Sequence, residues 1–423
     1  MGNGRKVMLI AYQFPPMGGA GVQRSAKFAK YLKTLGWDPV VVASEGPKGL
    51  VDDSLLEDLA GIPIERTPNW NIGEWPKPFN LLGKFIQRKL LVPDAEWIWY
   101  RMNRKKVLAL VGKHRPDVLY TTSYPYSGHL MGLWVKKEFP QLPWVVDFRD
   151  EWTKNPYVLD FGYSPGRMAK ERDMERQVVE ACDHLVTNSR LMLDGFMEEH
   201  ALEGKSTVIP NGYDPADFEG LDRKGSGREK MTIAYTGAMY GRRKPDSFLQ
   251  GLKKAMEEGL VDPSRVEVDF VGHFNKEHRQ KVAELLPGLD IVRFHGYMPH
   301  RQSIQFLLDA DLLLLIVGSG AEAKNFYTGK IFEYIYTDRT ILALAPPDGV
   351  AAEVIRETKT GVVVEDGDVE AVKEALGALY ARWLEGGLVL DPLREAVERY
   401  SRRNQTMELA GVFERLLGGA NEY

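Results

Sequence analysis

The sequence predicts an α/β protein of two doubly wound domains facing a central cleft, and three observations carry that reading. Short apolar runs of strand length alternate with stretches of helical periodicity along nearly the whole chain. A complete strand–glycine loop–helix–strand unit occupies residues 7–43. A second alternating series begins after the polar stretch Asp222 to Lys230, which reads as a linker. The expected organisation is therefore 1–212, then 213–400, with a closing helical segment 401–423 that packs back on the first domain. A length of 423 residues suits two domains. The halves share element order but no close sequence repeat, which excludes a solenoid.

In chain order, Val7 to Ala11 is a continuous apolar run of the kind buried on both faces of a parallel sheet. Val22 to Leu35 carries apolar residues at helical spacing, and Pro39 to Ala43 is the next strand. Val118 to Tyr120, Trp144 to Val146, His184 to Thr187 and Thr207 to Ile209 complete the first series, and Pro210 to Pro215 is a cluster of turn formers. The second series has strands at Thr232–Tyr235, Val266–Val271, Val292–Phe294, Leu312–Val317, Ile341–Leu344 and Gly361–Val364. Helices are expected at Phe248–Gly259, Val369–Leu384 and around Asn404–Leu417.

Composition narrows the function classes. A hydrophobic share of 44% with 27% charged residues excludes extensive disorder. Lys+Arg of 55 against Asp+Glu of 59 gives a net charge of -4, which argues against a chain-wide nucleic-acid footprint, so no nucleic-acid partner is expected. The single cysteine, Cys182, excludes an internal disulfide and a cysteine-rich metal site and makes a reducing cytoplasm the expected compartment. No signal peptide is expected, because VMLIAY is broken at once by Gln13-Phe14-Pro15-Pro16. The strongest apolar run, Leu312 to Val317, is too short to cross a bilayer.

Several segments could carry chemistry. Gly18-Gly19-Ala20-Gly21 joins a strand to a helix, where free N–H groups can cradle a phosphate; a plain tight turn is the alternative. It departs from the dinucleotide fingerprint, since Arg24 stands where a third glycine should be, although Glu45 occupies the place of a ribose-binding acid. Asp147-Phe148-Arg149-Asp150 follows a strand and suits either a polar pocket floor or a structural ion-pair cluster. His129 is a candidate acid–base residue or a buried, satisfied histidine. No histidine pair has metal-motif spacing. Of the two D-x-D triplets, Asp309-Ala310-Asp311 closes a helix and Asp366-Gly367-Asp368 supplies an N-cap, so no metal site is assigned. The densest region is 318–361, where a loop after the core strand leads into a helix starting near Thr328, with Lys330 and Glu333 in its first turns. Backbone N–H groups there can meet a diphosphate, a glutamate can accept both ribose hydroxyls, and Arg242-Arg243-Lys244 add cations at the mouth of the same domain.

These motifs resemble those of GT-B glycosyltransferases of the family 4 type. The resemblance covers nearly the whole length and rests on FPPMGGAGVQR, VTNSR…VIPNGYD, YTGAMYGRRKPDSFL, FHGYMPH and, most specifically, KIFEYIYTDRTILALAPPDG. It implies two Rossmann-like domains and retaining, metal-independent sugar transfer from a nucleotide diphosphate sugar, UDP- or GDP-linked, with no cofactor. It places Glu333 on the ribose, Tyr327, Thr328, Gly329 and Lys330 against the phosphates and donor sugar, and Lys244 with Arg243 on the diphosphate. The resemblance also puts His295, Tyr297 and Met298 along the base and Gly18 and Gly19 on the diphosphate from the acceptor-side domain. Gly237 ends the strand beside them. Three positions depart from the pattern: Asn325 stands where a glutamate is usual, Ala238 where an arginine is usual, and Ser123 where many members have a histidine. Arg242 or Arg243 then serve for the arginine, and His129, Asp147, Arg149 and Asp150 are the acceptor-side catalytic candidates.

The implied role is polysaccharide or glycoconjugate synthesis on a glycan or lipid-linked acceptor. From Lys84 to Arg115 there are nine Lys/Arg and only two acids, with Phe79 to Val92 apolar and basic and Trp97-Ile98-Trp99-Tyr100 close behind. That surface, 79–115, suits an anionic membrane face and a peripheral, cytoplasmic enzyme; an ordinary amphipathic helix packed on the domain is the alternative. A non-catalytic sugar-nucleotide binder and an NAD-linked oxidoreductase are the competing functions.

Overall fold

The computed structural model describes residues 4–418 apart from 19, 46–50, 52–53, 71, 75–78, 156–157, 160, 224–228, 240–242, 326–327 and 389. Its contacts divide into two compact units, Met1–Pro210 with Arg402–Tyr423, and Asn211–Ser401. The linker expected at Asp222 to Lys230 lies partly outside the described residues.

The first unit is built on seven parallel strands: β1 (Lys6–Ile10), β2 (Asp38–Ser44), β3 (Ile64–Thr67), β4 (Val118–Thr122), β5 (Trp144–Phe148), β6 (His184–Thr187) and β7 (Ser206–Val208). Their spatial order is β3-β2-β1-β4-β5-β6-β7. The central strands read as unbroken apolar runs because helices cover both faces. Trp99, Tyr126, Trp144, Phe148 and Trp152 fill one face. Phe28, Trp37, Tyr120 and Phe413 fill the other. The helix Arg402–Leu416 belongs to this unit, and its Phe413 ring lies 5.3 Å from Trp37 and 6.3 Å from Tyr120. The edge strand β3, Ile64-Glu65-Arg66-Thr67, carries no apolar run. Its Glu65 pairs with Lys113 and His114, and charge of this kind keeps an open edge from pairing with another chain.

The second unit has six parallel strands: β8 (Met231–Thr236), β9 (Val266–Val271), β10 (Val292–Gly296), β11 (Leu312–Ile316), β12 (Thr340–Leu344) and β13 (Gly361–Val364). Their order is β10-β9-β8-β11-β12-β13. β11, Leu312-Leu313-Leu314-Leu315-Ile316, is wholly buried at the centre. Each sheet therefore reverses its winding direction once, between β1 and β4 and between β8 and β11. Ligands of open α/β sheets bind beyond the carboxyl ends of the strands at that point.

Candidate functional site

At the reversal in the second unit, β8 runs into Thr236-Gly237, and β11 leads through a loop into the helix Lys330–Tyr336. The helix is pinned to the strand end, since the Thr236 N–H donates to the Tyr334 hydroxyl at 2.9 Å. One turn before Tyr334, the Lys330 ammonium lies 3.7 Å from the centroid of the Tyr235 ring. A Cβ on Gly237 (φ 105°) would stand 3.0 Å from Lys330 Nζ, and one on Gly272 (φ 138°) would fall 2.3 Å from the Gly237 carbonyl oxygen. Two glycines in conformations other residues rarely adopt thus let β8 and β9 close together and leave room for the ammonium.

Lys330 Nζ is buried and has no hydrogen-bond partner among the described residues. Burial drives its pKa well below the ordinary lysine value; the Arg243 charge adds to that shift and Glu333 opposes it. Thr328 is 3% exposed, and its hydroxyl likewise has no partner among the described residues. A desolvated cation without an anion is costly. Gly329 next to it is exposed, with open space where a Cβ would be and φ of −53°, an angle any residue adopts. The arrangement is a cationic, partly desolvated recess with hydroxyl and backbone donors, suited to an anion.

The other candidates of this unit are placed as follows. Glu333 Oε1 is 2.7 Å from His300 Nε2, with the two side chains 18% and 20% exposed. His300, the first residue of the helix His300–Asp309, was given no role in the sequence reading, which carried it only inside the motif FHGYMPH. His295 Nε2 is 2.7 Å from Asp269 Oδ1, and Arg293 grips the same carboxylate. Tyr297 is exposed and Met298 half-buried on the turn beyond. Arg243 is buried, Lys244 exposed, and Asn325 ends the turn Ala321–Asn325. Gly19, Arg242 and Tyr327 lie outside the described residues. The D-x-D acids are engaged: Asp309 accepts from Gln305, Asp311 from the Thr232 N–H, and Asp368 caps a helix through the Ala371 N–H.

At the reversal in the first unit the sequence expectation needs correction. Asp147 is fully buried and takes both arms of Arg24, at 2.8 and 2.9 Å, together with the Tyr120 and Thr122 hydroxyls. Burial pushes its pKa up, but the Arg24 charge and these hydrogen bonds win and hold it below the usual carboxylate value. Asp147 is thus half of a buried structural ion pair, with its two oxygens engaged by Arg24, Tyr120 and Thr122. His129 is fully buried; Nδ1 meets the Thr121 hydroxyl at 2.9 Å, and the ring lies 4.4 Å from that of Phe148. Burial lowers its pKa to about 3, so it is a neutral core residue that substrate cannot reach. Arg149 donates to the carbonyls of Gly21, Ser123 and Tyr124, which ties the first turn of the helix Ala20–Thr34 to the segment after β4. Gly18, in the loop before that helix, is half-buried. Asp150 is half-buried, accepts no hydrogen bond from a described residue, and has its pKa raised by burial against the pull of Arg149. Of the two acids, it is the one whose carboxyl group no described residue engages by a hydrogen bond.

Comparison with known proteins decides the family. The model of the "Glycosyl transferase 4-like domain" matches residues 18–212, and that of "Glycosyl transferases group 1" matches 230–382, together most of the chain. The chain belongs to the GT-B glycosyltransferases. Among solved structures, this glycosyltransferase is similar to HepE of Anabaena, solved with UDP and glucose, at 15% identity and TM-score 0.64, covering 97% of this chain and 99% of that one. It is similar to sucrose-phosphate synthase from Thermosynechococcus elongatus at 14% identity and TM-score 0.61, covering 98% and 99%. It is also similar to WaaG, a glycosyltransferase involved in lipopolysaccharide biosynthesis, at 14% identity and TM-score 0.58, covering 98% and 100%. At such identities the likeness speaks to the fold. No curated protein matches the chain in sequence. The oxidoreductase and the non-catalytic binder fall with this membership, and the place of the missing third glycine is explained by Arg24 turning inward to Asp147. No helix among the described residues of the glycosyltransferase is long and apolar enough to cross a membrane.

Proposed function

We propose that the enzyme transfers a sugar from a UDP-linked donor to a glycan or lipid-linked acceptor, in polysaccharide or glycoconjugate synthesis at the cytoplasmic face of a membrane. The observation that carries the donor half is the unpartnered Lys330 ammonium against Gly237 at the strand-order reversal. A diphosphate is the anion that fits a recess flanked by Thr328, Gly329 and Arg243, because phosphate oxygens satisfy the cation, the hydroxyl and the helix N–H groups together. Glu333, steadied by His300, then meets the ribose hydroxyls, and Lys244 and the 295–298 turn complete the nucleotide contacts. The UDP found with HepE supports the choice of base.

The chemistry needs charge more than a covalent helper. The bond from the sugar C1 to the diphosphate oxygen breaks, the acceptor oxygen bonds to C1 on the same face, and the acceptor's proton passes to the departing phosphate. Lys330 and Arg243 stabilise the charge that grows on that phosphate, in a recess where water cannot screen it. No metal enters this scheme.

Purified enzyme is titrated calorimetrically with UDP, GDP and ADP, and turnover of the preferred donor is followed by proton NMR. The proposal expects UDP to bind at least tenfold tighter than the other two and the donor's anomeric configuration to be kept. Equal binding of all three, or an inverted product, would contradict it.

A further inference from the structure

The helix Asn80–Leu90 is packed inside out. It lies on the turn Ile72–Glu74 through its small and polar side: a Cβ on Gly83 would fall 1.9 Å from the Ile72 carbonyl oxygen, and one on Gly73 would fall 2.1 Å from Gln87 Oε1. At about 100° per residue, Gly83 and Gln87 mark one side of the helix and Leu81, Leu82 and Phe85 the opposite one. Those three are 74%, 53% and 58% exposed, with Phe79 (58%) and Leu90 (67%) at the two ends and Trp70 (66%) on the segment leading in. Isolated exposed apolar residues are ordinary, but six in one stretch of 21 residues form a patch that marks an interaction surface.

Charge selects the partner. Residues 75–93 contain Lys77, Lys84, Arg88 and Lys89 and no acid, in a chain whose net charge is -4. A leucine- and phenylalanine-faced helix in a basic, acid-free segment, with tryptophan beside it, is the composition of a helix that lies in the plane of an anionic bilayer, rings and leucines below the headgroups and cations among them. The helix follows the carboxyl end of β3, the end of the sheet where ligands bind.

We infer that the outward face of Asn80–Leu90, centred on Leu81, Leu82 and Phe85, docks the enzyme on an anionic lipid bilayer. The inference deepens the proposal of a membrane-side acceptor, but it concerns binding alone. The test is co-sedimentation of the full chain, without nucleotide, with vesicles of phosphatidylcholine alone or with 30% phosphatidylglycerol, for wild type and the double variant Leu81→Ser/Phe85→Ser. Calorimetric titration with UDP in the absence of vesicles and light-scattering mass measurement accompany it.

Wild type is expected to bind the anionic vesicles at least tenfold better than neutral ones and to lose most of that binding at high salt. The double variant is expected to lose it at least tenfold while keeping wild-type UDP affinity and thermal midpoint, since both side chains are exposed. Absence of binding to anionic vesicles, undiminished binding by the variant, or a wild-type dimer that the variant dissociates would each overturn the inference. The UDP titration reports separately on the donor site, so one can fail without the other.

Discussion

Arg24 and Asp147 sit 123 positions apart in sequence and are both excluded from water. Removing one partner of such a pair strands the other's charge in the core. Asp147→Ala should therefore lower the stability of the first unit by about 3–5 kcal/mol, read as a shift in the denaturant midpoint, with no selective effect on turnover. A variant of wild-type stability that fails only in turnover would restore a catalytic role. The neutral state of His129 is checked by nitrogen-resolved NMR: no imidazolium should form between pH 5 and 8, as its pKa is lowered to about 3. Residue types at the strand ends were legible in the sequence, but the direction each one faces was not. Arg24 signalled only a missing glycine, since its partner is set by tertiary structure. Lys330 could be named from its motif, but that it lacks an anion follows from Tyr235, Gly237 and Arg243 arriving around it from other elements.

At the scale of elements, strands buried on both faces announced themselves as apolar runs, and β11 is the plainest case. β3 did not, because an edge strand with a half-wet face needs no such run. The helix Asn80–Leu90 was legible as apolar and basic, but only the packing of Gly83 showed which side faces out. The segment just before the helix Trp97–His114 holds a further surprise: Asp94 is buried and accepts from the Ser127 N–H and hydroxyl, and Glu96 beside it accepts from Tyr124. Burial first, and the Asp94 charge second, raise the Glu96 pKa to about 8. A carboxyl whose folded pKa is raised holds its proton in the folded state longer than in the unfolded one. Its contribution is present below the unfolded value, near 4.5, and is lost as pH rises toward 8. Glu96→Gln should flatten the fall in stability between pH 5 and 8, seen in denaturant melts across that range; an unchanged slope would contradict the assignment.

For the whole molecule, two separately cored units share one chain, and the first is completed only by the last helix. Truncation after Ser401 removes Leu409, Val412 and Phe413 from the first unit's core. Calorimetry should then show the unfolding transition of the first unit lowered or lost and that of residues 211–401 retained; a uniform drop in both would show the units to be one cooperative body. The two sheets repeat one strand order, yet they use its reversal differently. In the first, Arg149 spends its donors on three backbone carbonyls, whereas in the second the Lys330 ammonium has no hydrogen-bond partner among the described residues. The account of donor binding depends on that difference. Its most direct test is calorimetric titration of Lys330→Met with UDP beside a thermal melt. The variant should be at least as stable as wild type, because an uncompensated buried charge is gone, and should bind UDP at least tenfold more weakly. A destabilised variant that binds UDP with wild-type affinity would contradict it.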